Sequence, residues 1–472
     1  LSVQALNDAS LANFALGGGA AASGNVGIST QGSVAAVDIY SDTLATMNNT
    51  DVDVTNGNLE LLAQSDNDIV SSADAANVAF GSTVGVAGGA AISVVNSDAD
   101  TKVEAKRDSG YSTWNAKDVL LSANSQNDII NVAMGLGVGA SGTAGVAVEG
   151  NVAVNNINND TLVDVAGASI TAANNLVVQA NSGEHLENYG GALSVGAAGT
   201  AGVGVGATVV VNTISGNTQA LVDNSNLIAQ GTGNTGIAVR NYTVGEDGTV
   251  SHIDKAVKGL VVTADSEHEI DNVTVTSSIG GAGVAAVGGN ITADVNEISG
   301  ETKASILNSN INKDQSQNSL GDVVVLAHDK ADISADVINV SGSGSGTASA
   351  AALGTAGTNI ISRSTNAVIN GNTASDAGAQ KVFNAKDAKV YALGERKLRE
   401  DVVGVGVAAS GAGSATLAAT VSVAELSDTT LAAVKNMTGT NRSLNIDVER
   451  VANTHSYNNV IALSGGVGSG NV

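Results

Sequence analysis

Apolar and polar residues alternate with a period of two along most of the chain, and the alternation returns in recognisable segments. Leu59-Glu-Leu-Leu-Ala63, Val119-Leu-Leu-Ser-Ala123, Leu176-Val-Val-Gln-Ala180, Leu260-Val-Val-Thr-Ala264 and Val323-Val-Val-Leu-Ala327 are versions of one strand. Six residues beyond each closing Ala stands an apolar anchor: Ile69, Ile129, Leu186, Ile270 and Ile333, with weaker copies at Leu11 and Leu398. Period two puts alternate side chains on opposite faces of an extended chain, whereas a helix needs a sustained i, i+3, i+4 apolar stripe, which is missing. Glycine recurs throughout, and each would cost a helix about 1 kcal/mol. The pattern predicts strands from end to end.

A second landmark is a turn ending in Thr, at Thr43, Thr101, Thr161, Thr218, Thr302, Thr365 and Thr430. The offset from anchor to Thr is identical in every unit, from Leu11 to Thr43, Ile69 to Thr101 and so on to Leu398 and Thr430. The steps between successive anchors are not: Leu186 to Ile270 is far longer than Ile129 to Leu186. All length variation therefore falls between a Thr and the next anchor. A stack of coils behaves this way, because one extra residue inside a strand turns every following side chain to the wrong face, whereas an insertion at a corner bulges into solvent. The chain reads as one continuous solenoid, 1–472, with units near 1–58, 59–118, 119–175, 176–259, 260–322, 323–387 and 388–443, and a truncated one at 444–472. It reads as an interior window of a longer protein. Three coils of about 19 residues per unit are expected, giving roughly 24 coils and a rod about 110–120 Å long at the usual strand spacing.

The residues inside the strands refine this. There are 58 Gly, no Pro, no Cys and ten aromatics, and tracts such as Gly135-Leu-Gly-Val-Gly-Ala-Ser-Gly-Thr-Ala-Gly-Val-Ala-Val148 recur once per unit. Such small side chains imply opposite walls in close approach and a narrow section. The fold class is all-β: a right-handed parallel β-helix, rich in Gly, Ala and Val, with corner insertions on one side. A disordered elastin-like spacer is disfavoured by the absence of Pro and by the constant anchor-to-Thr offset. A net charge of −25 argues against nucleic acid and anionic membrane as partners and leaves weak Ca²⁺ binding to the acidic surface as the only cofactor chemistry. The uncharged run from Val402 to Ala424 matches similar tracts in the other units and is not read as a membrane span. Ten scattered aromatics could not girdle a membrane barrel.

The Gly/Ala/Val tract followed by Val-Asn-x-Ile-Ser-x-x-Thr, as in Val211-Asn-Thr-Ile-Ser-Gly-Asn-Thr218 and Val295-Asn-Glu-Ile-Ser-Gly-Glu-Thr302, resembles the repeat region of large leukotoxin-type filamentous adhesins. These belong with the filamentous-haemagglutinin class of two-partner-secreted exoproteins. The resemblance implies an extracellular, cell-surface, structural or adhesive role in a bacterium. It also implies export through an outer-membrane transporter partner, and binding to a host or bacterial receptor or glycan, or to like chains in a filament. A leukotoxin-like cytotoxin is the alternative, and a polysaccharide-acting β-helix enzyme a more remote one. The Asn-Pro signature of the family's secretion domain has no counterpart here, since the chain has no Pro.

No residue set demands catalysis, and the chain is read as a non-enzyme without catalytic, cofactor or metal residues. Glu267, Glu269 and Asp271 share one strand face while His268 points away, which describes a solvated acidic face. His185 occupies the unit position of Glu269; His252, His328 and His455 have no recurrent partners. Gly137-Val-Gly-Ala-Ser-Gly142 imitates a dinucleotide fingerprint but lies in a glycine tract without the βα context. The Thr recurs once per unit, too sparsely for an ice-binding rank. Recognition is expected on the insertions that follow Thr101, Thr218, Thr302 and Thr365, where Tyr111, Trp114, Tyr242 and Phe383 are candidate partner contacts. The longest insertion contains Asn241-Tyr-Thr-Val-Gly-Glu-Asp-Gly-Thr-Val-Ser251, the pattern of a hairpin.

Overall fold

The computed structural model describes residues 1–245, 249–316, 319–372, 380–453 and 459–468, with side chains up to Val451. The alternation becomes very long strands. A typical unit runs through a front strand (Leu59–Gly81), reverses at a tight tip, returns as a back strand (Val84–Lys106), turns a corner and crosses a short end strand (Ser112–Ala116) before the next front strand, Val119–Ser141. Front strands pair only with front strands of the units above and below, all in parallel; back and end strands do likewise. The result is a parallel β-solenoid of three walls.

One unit is one coil. Ser2 pairs with Glu60, Leu59 with Val119, and Leu176 with Leu260, so the register advances a whole unit per rung. The expected three coils per unit, and with them the 110–120 Å rod, are corrected. Seven rungs and the partial eighth span roughly 34 Å, while a front strand such as Leu59–Gly81 is about 75 Å long. The molecule is a slab. Three coils would require many turns inside each unit, but the extended backbone is interrupted only at the tip, within each glycine tract, and on the back and end walls.

Both landmarks are ladders. Leu11, Ile69, Ile129, Leu186, Ile270, Ile333 and Leu398 stack directly on one another along the front wall. Thr43, Thr101, Thr161, Thr218, Thr302, Thr365 and Thr430 stack along the back wall. The Ile ladder meets Val95, Ile157, Ile214, Ile298 and Ile361 of the back wall in one apolar seam. A larger cluster fills the wide end between all three walls, with Leu61, Leu121, Ile170, Leu176 and Val325 among its members. Corners between back and end walls use left-handed residues, such as Asn308 (φ 47°) and Asn436 (φ 53°), whose short amides tolerate that conformation.

The tip explains the glycine. Gly142, Gly199, Gly283, Gly346 and Gly411 form a column in which a Cβ on any member would lie 2.2–2.3 Å from the carbonyl oxygen of the residue below. Just inside it, a Cβ on Gly139 or Gly196 would lie 2.0 or 1.9 Å from the carbonyl oxygen of Val146 or Val203 on the opposite wall. Here the walls touch backbone to backbone. Val402–Ala424 belongs to this region, split between strands Ala385–Ser410 and Gly413–Lys435, and no helix among the described residues is long and apolar enough to cross a membrane.

Three of the four aromatic contacts expected on exposed insertions are buried. Trp114 is fully enclosed, Phe383 is 2 % exposed and Tyr242 6 %. The reason for Trp114 and Phe383 is the end wall: Val52, Trp114, Ile170, Leu227, Ile311 and Phe383 are one inward column. Trp114 donates its indole N–H to the Thr50 carbonyl at 2.8 Å. Tyr242 is covered because its insertion packs back on the front wall. Tyr111, at 40 %, remains exposed.

The register makes a sharp demand. One Ala inserted after Val132 reverses the facing of the rest of its strand and should unfold the chain or lower its melting temperature by more than about 10 °C, on the order of several kcal/mol. Five Gly/Ser residues inserted between Asn234 and Thr235, in an exposed loop, should cost about 1 kcal/mol or less. Thermal unfolding followed by circular dichroism compares the two; equal losses would contradict the ladder account.

Candidate functional site

Between the wide apolar end and the tip, the interior is polar, and its groups satisfy one another along the stack. Asn155, Asn212, Asn296 and Asn359 form a back-wall ladder in which each Nδ2 donates to the next Oδ1 at 2.7 Å. Asn131 donates to Asn155, and Asn188 to Asn272, at the same distance. Buried carboxyl groups are built into this amide lattice, Glu184 and Asp294 along with Glu149 and Glu400. Glu184 accepts from Asn127 (2.9 Å) and Asn159 (3.2 Å), and burial pushes its carboxyl up to about 8, partly offset by those donors. Burial and the neighbouring Glu400 charge push Asp294, between Asn272 and Asn296, up to about 8. At neutral pH Glu184 and Asp294 are held largely protonated, as hydrogen-bonding partners of amides.

Four charged groups are also sealed inside. Arg363 donates Nε to Asp329 at 2.9 Å; Arg396 donates Nη2 to Asp329 and to Asp428, both at 2.8 Å. All four side chains are fully enclosed. Burial alone would raise Asp329, but the two guanidiniums hold it well below the usual carboxylate range. His268 lies beside them, buried; desolvation and the Arg363 charge keep it neutral. Arg363 stands over Gly300 in the stack, whose missing side chain leaves it room, and bonds the Ser299 carbonyl at 2.7 Å. This network is a staple between rungs, capped at its outer end by the half-exposed Arg450, which donates Nε to Asp428 at 2.9 Å.

As the alternation predicts, Glu267, Glu269 and Asp271 face outward while His268 faces in. His185 stacks on Glu269 and Asp128, 3.6 Å from the Asp128 carboxylate and 3.8 Å from that of Asp271. Among the described residues no three His, Asp or Glu side chains gather as a metal set. His455 lies outside the described residues.

His328 does have partners, from the two neighbouring rungs and one insertion. The insertion is an antiparallel hairpin, Ile237–Val244 with Val250–Val257, as its sequence predicts; its turn residues Glu246, Asp247 and Gly248 lie outside the described residues. It folds back on the outer face of the front wall, where Val239, Tyr242 and Val257 cover Val261, Val324, Leu326 and Tyr391. Tyr242 stacks on His328 with ring centroids 4.2 Å apart, and His328 bridges Asp265 and Glu395, each at 2.7 Å. Arg240 closes the cluster on Asp265 at 2.7 Å. Burial works against charge on His328, but the two carboxylates outweigh it and push the imidazole up to about 9. The arm leaves a cleft on either side. One, of about 420 Å³, is lined by amides and acids including Gln126, Asn181, Asp265 and Arg240; the other, of about 360 Å³, includes Lys255, Asp387 and Lys389.

The outer face of the back wall is different in kind. Over seven rungs, six adjacent outward columns hold only Gly, Ala, Val, Ile and Leu, apart from Thr30 and Thr358. They run from the Val84 column near the tip to the Val94 column, and among the described residues no insertion strand pairs across them. Ile291 is 65 % and Leu417 68 % exposed. Inward positions on the same strands hold mostly Gly, Ala, Ser, Thr and Asn, with Glu149, Asp294, Val210 and Leu353 among them. This half of the slab is inverted: small and polar inside, aliphatic outside.

No family of known proteins, no curated protein and no solved structure matches the chain. The motif that carries the family resemblance is accounted for structurally: Asn212 and Asn296 belong to the amide ladder, Ile214 and Ile298 to the apolar seam, and Thr218 and Thr302 to the Thr ladder. The buried Thr rank excludes an ice surface there.

Two titrations test these assignments. The folded state holds the Glu184 proton more tightly than the unfolded chain, so Glu184 costs nothing below pH about 4.5, and an increasing amount as pH rises to about 8. Glu184→Gln should therefore stabilise the protein at pH 8–9, on the order of 3–5 kcal/mol at most, and leave it unchanged at pH 4. Urea unfolding at several pH values reads this; a gain independent of pH would refute the assignment. His328 has the opposite sign: its contribution is complete below about pH 6.5 and is lost as pH rises through about 9. His328→Gln should speed tryptic cleavage after Arg240 and Lys255 about tenfold at pH 7, equivalent to about 1.4 kcal/mol of arm docking. The difference should shrink by pH 10, and a rate unchanged by the substitution would count against the clamp.

Proposed function

We propose that the chain is the structural shaft of a bacterial cell-surface adhesin or extracellular filament, acting by attachment or assembly and not by catalysis. The observation that supports this reading is that the repeated motif positions are spent on stacking. Its Asn, Ile and Thr are ladder positions, and the groups with the most displaced acidities are sealed in the interior or clamp the arm. What remains for the outside is a set of side-chain columns repeated every rung, about 4.8 Å apart, which suits multivalent contact with a receptor, a glycan or like chains. The family resemblance of the Val-Asn-x-Ile-Ser-x-x-Thr tracts favours the same role, with export to the cell surface through an outer-membrane transporter partner.

A slab supplies such a shaft with something other than length. A whole unit, such as 59–118, advances one strand spacing, so the chain gains little reach and a great deal of wall. Beads coated with the purified chain should attach saturably to host or bacterial cells, or to one another, without haemolysis and without release of reducing sugar from polysaccharides. Lysis would instead support a cytotoxin, and sugar release a glycan-processing enzyme; either would overturn the structural reading.

A further inference from the structure

The aliphatic face of the back wall is too large and too uniform to be left to water. Its six columns on seven rungs cover roughly 36 Å by 29 Å, on the order of 1,000 Å². The largest apolar patch on an ordinary monomer is about 300–600 Å², and a stable complex needs about 800 Å² per partner. We propose that this face is a homotypic interface: the back wall of one chain lies against the back wall of a second copy.

Relief and charge select that occupant. Aliphatic ridges run along the stack at Val86, Val146 and Val203, and again at Ile92, Val152 and Val209. Between them, on these three rungs, Ala90, Gly150 and Ala207 form a trough beside the Gly88, Val148 and Val205 column, and on later rungs Ile291 and Leu417 stand up in these two columns as knobs. A face with parallel ridges and a trough is complementary to itself when turned over by a two-fold axis, since the ridge of each copy meets the trough of the other. The chain carries −25 overall, yet no charged residue lies on these columns, so two copies meet without bringing acids together. Their acids stand at the border, as Asp38, Glu297 and Glu425 in the next column toward the wide end. That border repels an anionic membrane, and the six columns have none of the Trp, Tyr, Lys or Arg by which proteins settle into a lipid interface. The proposal does not depend on the adhesive reading above.

Sedimentation velocity on the intact chain across a concentration series tests it, alongside the double variant Val152→Lys/Val209→Lys and a control, Gln64→Lys, on the exposed front wall. The substituted valines point outward, so circular dichroism and melting should report an intact fold for all three. The wild type and the control should associate in the micromolar range, and the double variant should weaken association at least 100-fold. A wild type that stays monomeric at about 100 µM, or association that survives both lysines, overturns the proposal. So does a monomeric wild type that floats with neutral phosphatidylcholine vesicles while the double variant does not, which would assign the face to lipid.

Discussion

Everything in this fold follows from direct stacking: whatever an inward position carries must fit the same position one rung above and one rung below. A column is tolerated when its members attract one another edgewise. Isoleucines do so by close packing, and asparagines by passing an amide hydrogen bond from Nδ2 to Oδ1 along the line. Because parallel strands share one register over their whole length, as from Leu176 to Ala198, a mismatch in one column cannot be relieved by sliding without disturbing the others. The stack tolerates substitutions that keep the column's chemistry. Glu184 serves as a protonated stand-in for an amide above Asn127, Asp294 fits between Val210 and Gly357 by bonding Asn272 and Asn296 beside it, and Arg363 with Arg396 enters only where Asp329 and Asp428 arrive in adjacent positions.

The second constraint is space. Toward the wide end three walls enclose enough volume for Leu, Ile and Trp, and hydrophobic burial there supplies the usual driving force. Toward the tip two walls converge until only Gly, Ala and small polar side chains fit between them. Those strands still need β-forming residues, and the outward parity is the one place with room for Val and Ile. The inversion is a consequence of thinness: a section with no interior volume puts its bulk outside.

Much of this was legible in the sequence. The constant offset from anchor to Thr became two ladders because the interval crosses one tip turn of fixed length between paired front and back strands that stay in register, even where the back strand breaks just before Thr161 and Thr218. The facing of His268 against Glu267 and Glu269 followed from parity alone. The number of coils did not, because the expectation rested on strands of ordinary length, about five or six residues, whereas a single strand here runs unbroken from Leu59 to Gly81. Trp114 and Phe383 read as partner contacts on insertions because the variable stretch after each Thr hides a short end wall. Aligning them with Ile170, Leu227 and Ile311 would have shown an apolar column. The His328 clamp and the Arg363–Asp329–Arg396 staple left no local trace: their members are far apart in the chain and meet only through the stacking. The alternation of Val with Gly and Ser in the tip tracts was visible, but nothing in it said which parity faced water.

The flattened outline has a mechanical side. A beam resists bending in proportion to the cube of its depth in the bending plane, and this section is about 75 Å deep one way and, where two sheets lie face to face, only about 10 Å the other. Such an object is a tape rather than a cylinder. It yields to curvature across its flat faces, resists it edgewise, and presents one broad side or the other to whatever it is pressed against.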